Sequence, residues 1–164
     1  MHIIGLILVI AFCLIICYQD FTKRLIHIGN IAGLAIGIYL SKNEDNKAVF
    51  QNGIYNVIFL LFLFTILYIY FYLRTKDKKF FNHKMGWGDI IILFVFCFSY
   101  NLYNFVLFIM FSSILSLIFW LINYSINKKK EIKIPFASFL TIFHLIVTAY
   151  CHYSLFDPVR DIVL

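Results

Sequence analysis

Two aspartates stand apart from the other carboxylates of this 164-residue chain. Among its eight Asp and Glu residues, Asp77 and Glu131 lie between lysines and read as solvated loop charges, while Glu44, Asp45, Asp157 and Asp161 belong to other polar stretches. Asp20 closes one apolar run and Asp89 opens another. An ionised Asp at a bilayer centre costs roughly 2.5–3.5 kcal/mol on insertion scales, so a carboxylate at the edge of an apolar run calls for a reason. Two carboxylates held together cannot both ionise cheaply; one keeps a proton and the pair titrates as a unit. The ionised member can deprotonate water, and the protonated one can donate to a peptide carbonyl, which is hydrolysis of the aspartic-protease kind. That chemistry needs neither metal nor cofactor, and none is expected. Gly86 and Gly88 bracket Trp87 just before Asp89 and permit close backbone approach or a positive φ beside the carboxylate. The plainer alternatives are a solvated flank or helix cap at Asp20, and a glycine turn with an Asp N-cap at Asp89.

The elements that must position these residues are set by lipid. The chain is 63% hydrophobic and 13% charged, with mean hydropathy +0.90, against about 25% charged residues in soluble proteins. Its apolar stretches are too long and too frequent for the core of a soluble fold of this size. Six runs predict an all-α, polytopic membrane bundle of about six transmembrane helices: Ile3 to Gln19, Leu25 to Leu40, Ile54 to Leu73, Asp89 to Tyr100, Tyr103 to Ile126 and Ile134 to Tyr153. The second and fourth are short, and must be extended by their flanks, sit in thinned bilayer or be shielded by neighbours. The first run lacks a basic n-region and a small-x-small cleavage site, so it is expected to remain as a helix rather than be removed as a signal peptide. A single transmembrane domain over residues 1–164 follows.

Charge decides whether Asp89 to Ile126 is one helix or a hairpin. With a turn at Asn101 to Asn104, Lys23, Arg24, Arg74, Lys76, Lys78, Lys79, Lys84, Lys128 to Lys130 and Lys133 share one face, against Lys42, Lys47 and Arg160 on the other. The positive-inside rule then places the basic loops, Asp20 and Asp89 at the cytoplasmic face of the cell inner membrane, with both termini outside. The net charge of +6 therefore reads as topology rather than nucleic-acid binding. Gly29, Gly33 and Gly37, at four-residue spacing, line one face of the second helix for close packing. An intramolecular neighbour is favoured over oligomerisation, and the sequence assigns no oligomeric state. Cys13, Cys17, Cys97 and Cys151 show no metal-ligand spacing and read as small packing residues. His27 and His83 flank the aspartates and could tune them; His144 and His152 read as hydrogen-bonded packing residues.

The stretch Lys84-Met85-Gly86-Trp87-Gly88-Asp89 resembles the GxGD motif of the type IV prepilin peptidase family of membrane aspartyl proteases. Asp20-Phe21-Thr22-Lys23-Arg24-Leu25-Ile26-His27, with Asn30 beyond it, resembles that family's D-x-x-x-x-x-I-P-N segment after its first core helix. Ile134-Pro135-Phe136-Ala137-Ser138 is similar, more weakly, to its P-F-G-P-like stretch. The departures are His27 for proline, Ile91 for a lysine two residues after the second Asp, and Ala137-Ser138 for Gly-Pro. The resemblance implies a compact form without the N-terminal methylation-associated region, and an aspartic endopeptidase in which Asp20 and Asp89 are catalytic and Gly86 and Gly88 support them. Its substrate would be a prepilin-like or pseudopilin-like precursor, cut at the basic leader on the cytoplasmic membrane face. The presenilin group shares GxGD but adds a P-A-L motif absent here. From another class, a noncatalytic pilus or secretion assembly factor, or a small proton-coupled transporter, could hold the same aspartates.

Overall fold

The structure is a computed structural model that describes residues 2–23, 25–42, 46–75, 86–126 and 135–154. The basic loop residues Arg24, Lys76 to Lys84 and Lys128 to Lys133 lie outside the described residues, as do Glu44, Asp45, Asp77, His83, Glu131, Asp157, Arg160, Asp161 and the side chains of Cys151 and His152. The described chain is all-α, in six helices: α1 (His2–Lys23), α2 (Ile28–Ser41), α3 (Asn46–Thr75), α4 (Trp87–Phe96), α5 (Leu102–Ile126) and α6 (Phe136–Ser154).

Among the described residues, α1, α3 and α5 are long and apolar enough to cross a membrane by length and composition; α2, α4 and α6 are shorter apolar helices. The six spans expected from hydropathy are thus three long helices and three short ones. Packing explains how the short ones are tolerated. α2 and α6 each pack on both α1 and α4, and α6 also packs on α5. The ten residues of α4 rise about 15 Å, half a hydrocarbon core, and that short helix is sheltered instead of spanning alone. The core gathers Val9, Cys13 and Ile16 of α1, Leu34 of α2, Phe96 of α4 and Leu140 of α6. The outward faces are apolar as well, with Ile7, Leu14, Ile58, Phe62 and Leu117 all exposed, the pattern of a protein whose solvent is lipid. Hydroxyls on these helices turn back to their own backbone, as Thr65 does to the Leu61 carbonyl and Ser125 to that of Leu121.

α1 and α2 run antiparallel with glycines at the seam. A Cβ on Gly5 would lie 2.3 Å from the Ser41 backbone nitrogen, one on Gly37 3.0 Å from that of Val9, and one on Gly33 2.2 Å from the Phe12 ring. The glycine stripe of α2 is therefore used inside the chain, at Gly33 and Gly37, while Gly29 has nothing within 4 Å. Gly5→Leu must push two backbones apart and is expected to lower the melting temperature in detergent, costing about 1–3 kcal/mol. Gly29→Leu should leave it unchanged.

The hairpin expected near Asn101 is present: α4 stops at Phe96, the chain turns through Cys97 to Tyr100, and α5 begins at Leu102. Polar side chains hold the turn. Asn56 Nδ2 donates to the carbonyls of Cys97 and Tyr100, both at 2.7 Å, and Lys42 Nζ to that of Phe98 at 2.5 Å. Asn101 Oδ1 accepts the Asn104 N–H at 2.8 Å and caps α5. The Phe108 ring meets those of Phe96 and Tyr100 at one end, while Phe119 meets Phe21 near the end of α1. α5 thus returns toward the aspartates.

Candidate active site

The first turn of α6 is where Asp20 and Asp89 come together. α6 begins at Phe136 after the buried Pro135, a residue with no N–H to leave unpaired at a helix start. The N–H groups of its first turn have no intrahelical partners and carry the positive end of the helix dipole. Two consecutive ones are taken by the two aspartates: the Ala137 N–H donates to Asp89 Oδ1 at 3.0 Å, and the Ser138 N–H to Asp20 Oδ2 at 2.9 Å. The Ser138 hydroxyl adds a second bond to Asp20 Oδ2 at 2.8 Å and lies 3.3 Å from the Cys17 carbonyl. Two hydrogen bonds and one backbone repeat separate the two accepting oxygens, which bounds their distance at roughly 10 Å.

Asp20 sits three residues before the end of α1 and is only 6% exposed. Its neighbour Gln19 fixes the following turn, its Oε1 accepting from Asn30 Nδ2 at 2.9 Å and from the His27 N–H at 3.4 Å. Asn30, which matches the segment's asparagine only with an offset, thereby clamps the start of α2 beside Asp20. The His27 imidazole is exposed and bonds neither carboxylate; the residue caps α2 without a side-chain bond.

Asp89 is the third residue of α4, behind an N-cap supplied by Gly86 rather than by Asp89 itself. Gly86 is extended at φ −73° and ψ 137°, so its use is close approach and not a left-handed backbone. A Cβ there would lie 3.2 Å from Asp89 Oδ2, and one on Gly88 3.1 Å from Ile26 Cδ1. Ile91 is displaced by about 200° around α4 from Asp89. It lines an apolar hollow of about 630 Å3 with Ala35, Ile38, Val95 and Phe98. Exchange of a lysine for isoleucine there removes no group from the carboxylates. The Ala137-Ser138 departure does bear on them, because a proline at position 138 would offer neither N–H nor hydroxyl. Gln19 is a site residue that sequence reasoning missed, and Ser138 stood out only as a departure from the family's Gly-Pro; nothing local shows that its amide serves a residue 118 positions away.

His144 stands elsewhere, buried, its Nδ1 2.5 Å from the Tyr100 hydroxyl among the rings of Phe96 and Phe108. Cys13, Cys17 and Cys97 are free thiols.

The chain is thus a helical bundle with apolar outer faces and two carboxylates gathered on one helix start, the makeup of a membrane protein. Residues 7–121 match the type IV leader peptidase family, and the chain belongs to that family. The matched region contains Asp20, Gly86, Gly88 and Asp89, whereas Ala137 and Ser138 lie beyond it. No curated protein and no solved structure matches the chain.

Proposed function

We propose that the chain is an aspartic endopeptidase, one transmembrane peptidase domain, that removes the basic leader of prepilin-like or pseudopilin-like precursors through Asp20 and Asp89. The observation that carries this reading is the pair of adjacent α6 amides, each bonded to one of the two aspartates. Carboxylates on one helix start share a proton in preference to both being charged. One takes a proton from water while the other gives its proton to the scissile carbonyl oxygen. The resulting diol collapses as the leaving nitrogen is protonated and the C–N bond breaks. The helix dipole favours the remaining negative charge throughout.

Orientation follows from the basic loops: the aspartate end of the bundle faces the cytoplasm of the inner membrane, with both termini outside. A precursor whose leader is basic and whose next segment is an apolar helix would present its junction at that depth.

Gly86 and Gly88 are supports in this reading. Gly86→Ala presses on Asp89 Oδ2 and is expected to lower kcat/KM about tenfold or more with an unchanged melting temperature. Gly88→Ala meets only the flexible tip of Ile26 and should cost less.

The proposal is tested in proteoliposomes that contain the purified chain and a full-length precursor from the same genome, with product masses read out. A single cut between the basic leader and the apolar helix is expected. An intact precursor together with proton flux would identify a transporter instead.

A further inference from the structure

We propose that the buried Tyr100–His144 pair is the register lock of α6: it fixes how far α6 sits along α4, and so holds the Ala137 and Ser138 amides on Asp89 and Asp20. The inference rests on the peptidase reading above, under which Tyr100 and His144 are positioning residues for cleavage. α4 and α6 run in the same direction with one constant offset. Asp89 accepts the N–H of Ala137, 48 positions on. Further along both helices, and at the same offset, the Phe96 ring meets that of His144 with centroids 4.6 Å apart. The step from Asp89 to Phe96, like that from Ala137 to His144, is close to two full turns, so both meetings fall on one stripe of each helix.

An apolar stripe alone does not fix that offset. Lipid removes the hydrophobic drive between helices, and a shift of α6 by one turn, about 5.4 Å, would again set apolar side chains against apolar ones. It would also carry both amides away from the carboxylates. The polar pair breaks this degeneracy. The Tyr100 hydroxyl lies 2.5 Å from His144 Nδ1 among the rings of Phe96 and Phe108, and the two residues are only 2% and 7% exposed. A shifted α6 forfeits that bond inside an apolar surround.

Stability does not account for the pair, because apolar residues of similar shape in place of both partners of a buried polar pair are nearly neutral or stabilising. Selection of one register does. Tyr100 is the fixed partner. It stands in the α4–α5 turn, where its carbonyl accepts from Asn56 Nδ2 at 2.7 Å and its ring stacks on Phe108 with centroids 4.8 Å apart. α6 is then held against α4 at two levels, by Asp89 at its start and by Tyr100 two turns on.

The test compares wild type, Tyr100→Phe, His144→Leu and the double variant by three readouts: the unfolding midpoint in detergent, kcat and KM for precursor cleavage, and hydrogen–deuterium exchange at the Ala137 and Ser138 amides. Each single variant strands a polar partner and should melt below wild type. The double variant strands none and should melt near the wild-type midpoint. Its kcat is nevertheless expected to fall about tenfold or more with KM little changed, because the amides no longer hold the carboxyls in place. Exchange at these two amides should quicken in the double variant while the rest of α6 keeps its protection. Tyr100→Phe, which removes one oxygen and keeps the ring, should show the same change in exchange. A double variant that regains kcat along with its midpoint marks the pair as merely structural and overturns the inference, as do amides protected as in wild type. A wild type that cuts no precursor overturns the peptidase reading instead, and the exchange comparison then still decides whether the pair sets the register.

Discussion

Asp20→Asn and Asp89→Asn enzymes are each expected to lose about 10³-fold or more in kcat for leader cleavage, with the double variant no slower than either single one. Catalysis by a carboxyl pair needs one proton acceptor and one proton donor in the same transition state. An amide supplies neither at useful strength, so removal of one member disables the other, and the two effects do not add. The fold should tolerate both changes. An Asn carbonyl oxygen can accept the α6 amide bonds that Asp20 and Asp89 accept, and loss of a carboxylate relieves like-charge repulsion on one helix start. The melting temperature is therefore expected to hold or rise slightly. Kinetics on the purified wild type and three variants check this, and a double variant far slower than both singles would indicate two independent roles.

The second large effect concerns stability and lies far from the aspartates in sequence. Asn56 is fully buried, and its Nδ2 donates to two turn carbonyls, Cys97 and Tyr100. α3 makes few other close approaches to the bundle, so this side chain is a principal tie between α3 and the α4–α5 turn. Asn56→Leu leaves both carbonyls without that donor in an apolar surround. It also removes the Asn56 Oδ1 atom, which is buried without a partner among the described residues. A net loss of about 2–4 kcal/mol is expected, read as a lower unfolding midpoint in detergent. Since α4 carries Asp89 at one end and this turn at the other, cleavage should fall as well. An unchanged midpoint would mean that the turn is held without α3.

Much of this was legible from residue type and position. Aspartates at the edges of apolar runs, with Gly86 and Gly88 before one of them, single out the pair because lipid makes such placements costly. The α4–α5 hairpin follows from charge: only a reversal between Asp89 and Ile126 keeps Arg74 to Lys84 and Lys128 to Lys133 on one face. Helix ends were less legible. α3 begins at Asn46, eight residues before the expected start, because Lys47, Gln51 and Asn52 read as loop although they are compatible with a helix that emerges from the bilayer. Hydropathy expected six apolar helices with the second and fourth short, and the described residues form six, of which α2, α4 and α6 are the shorter ones. The role of Gly86 was half legible, with close approach in the structure and no positive φ. The function of the α6 amides was invisible, because which carboxylate fills a helix start is settled by tertiary packing and leaves no mark on local pattern.

The claim on which everything else depends is that Asp20 and Asp89 act as one catalytic unit. It is tested most directly by coexpression with a precursor from the same genome, with leader removal compared on a gel for wild type, Asp20→Asn and Asp89→Asn at matched membrane levels. The account predicts mature protein with wild type and only precursor with either variant. Mature protein at the wild-type level with either single variant would contradict it.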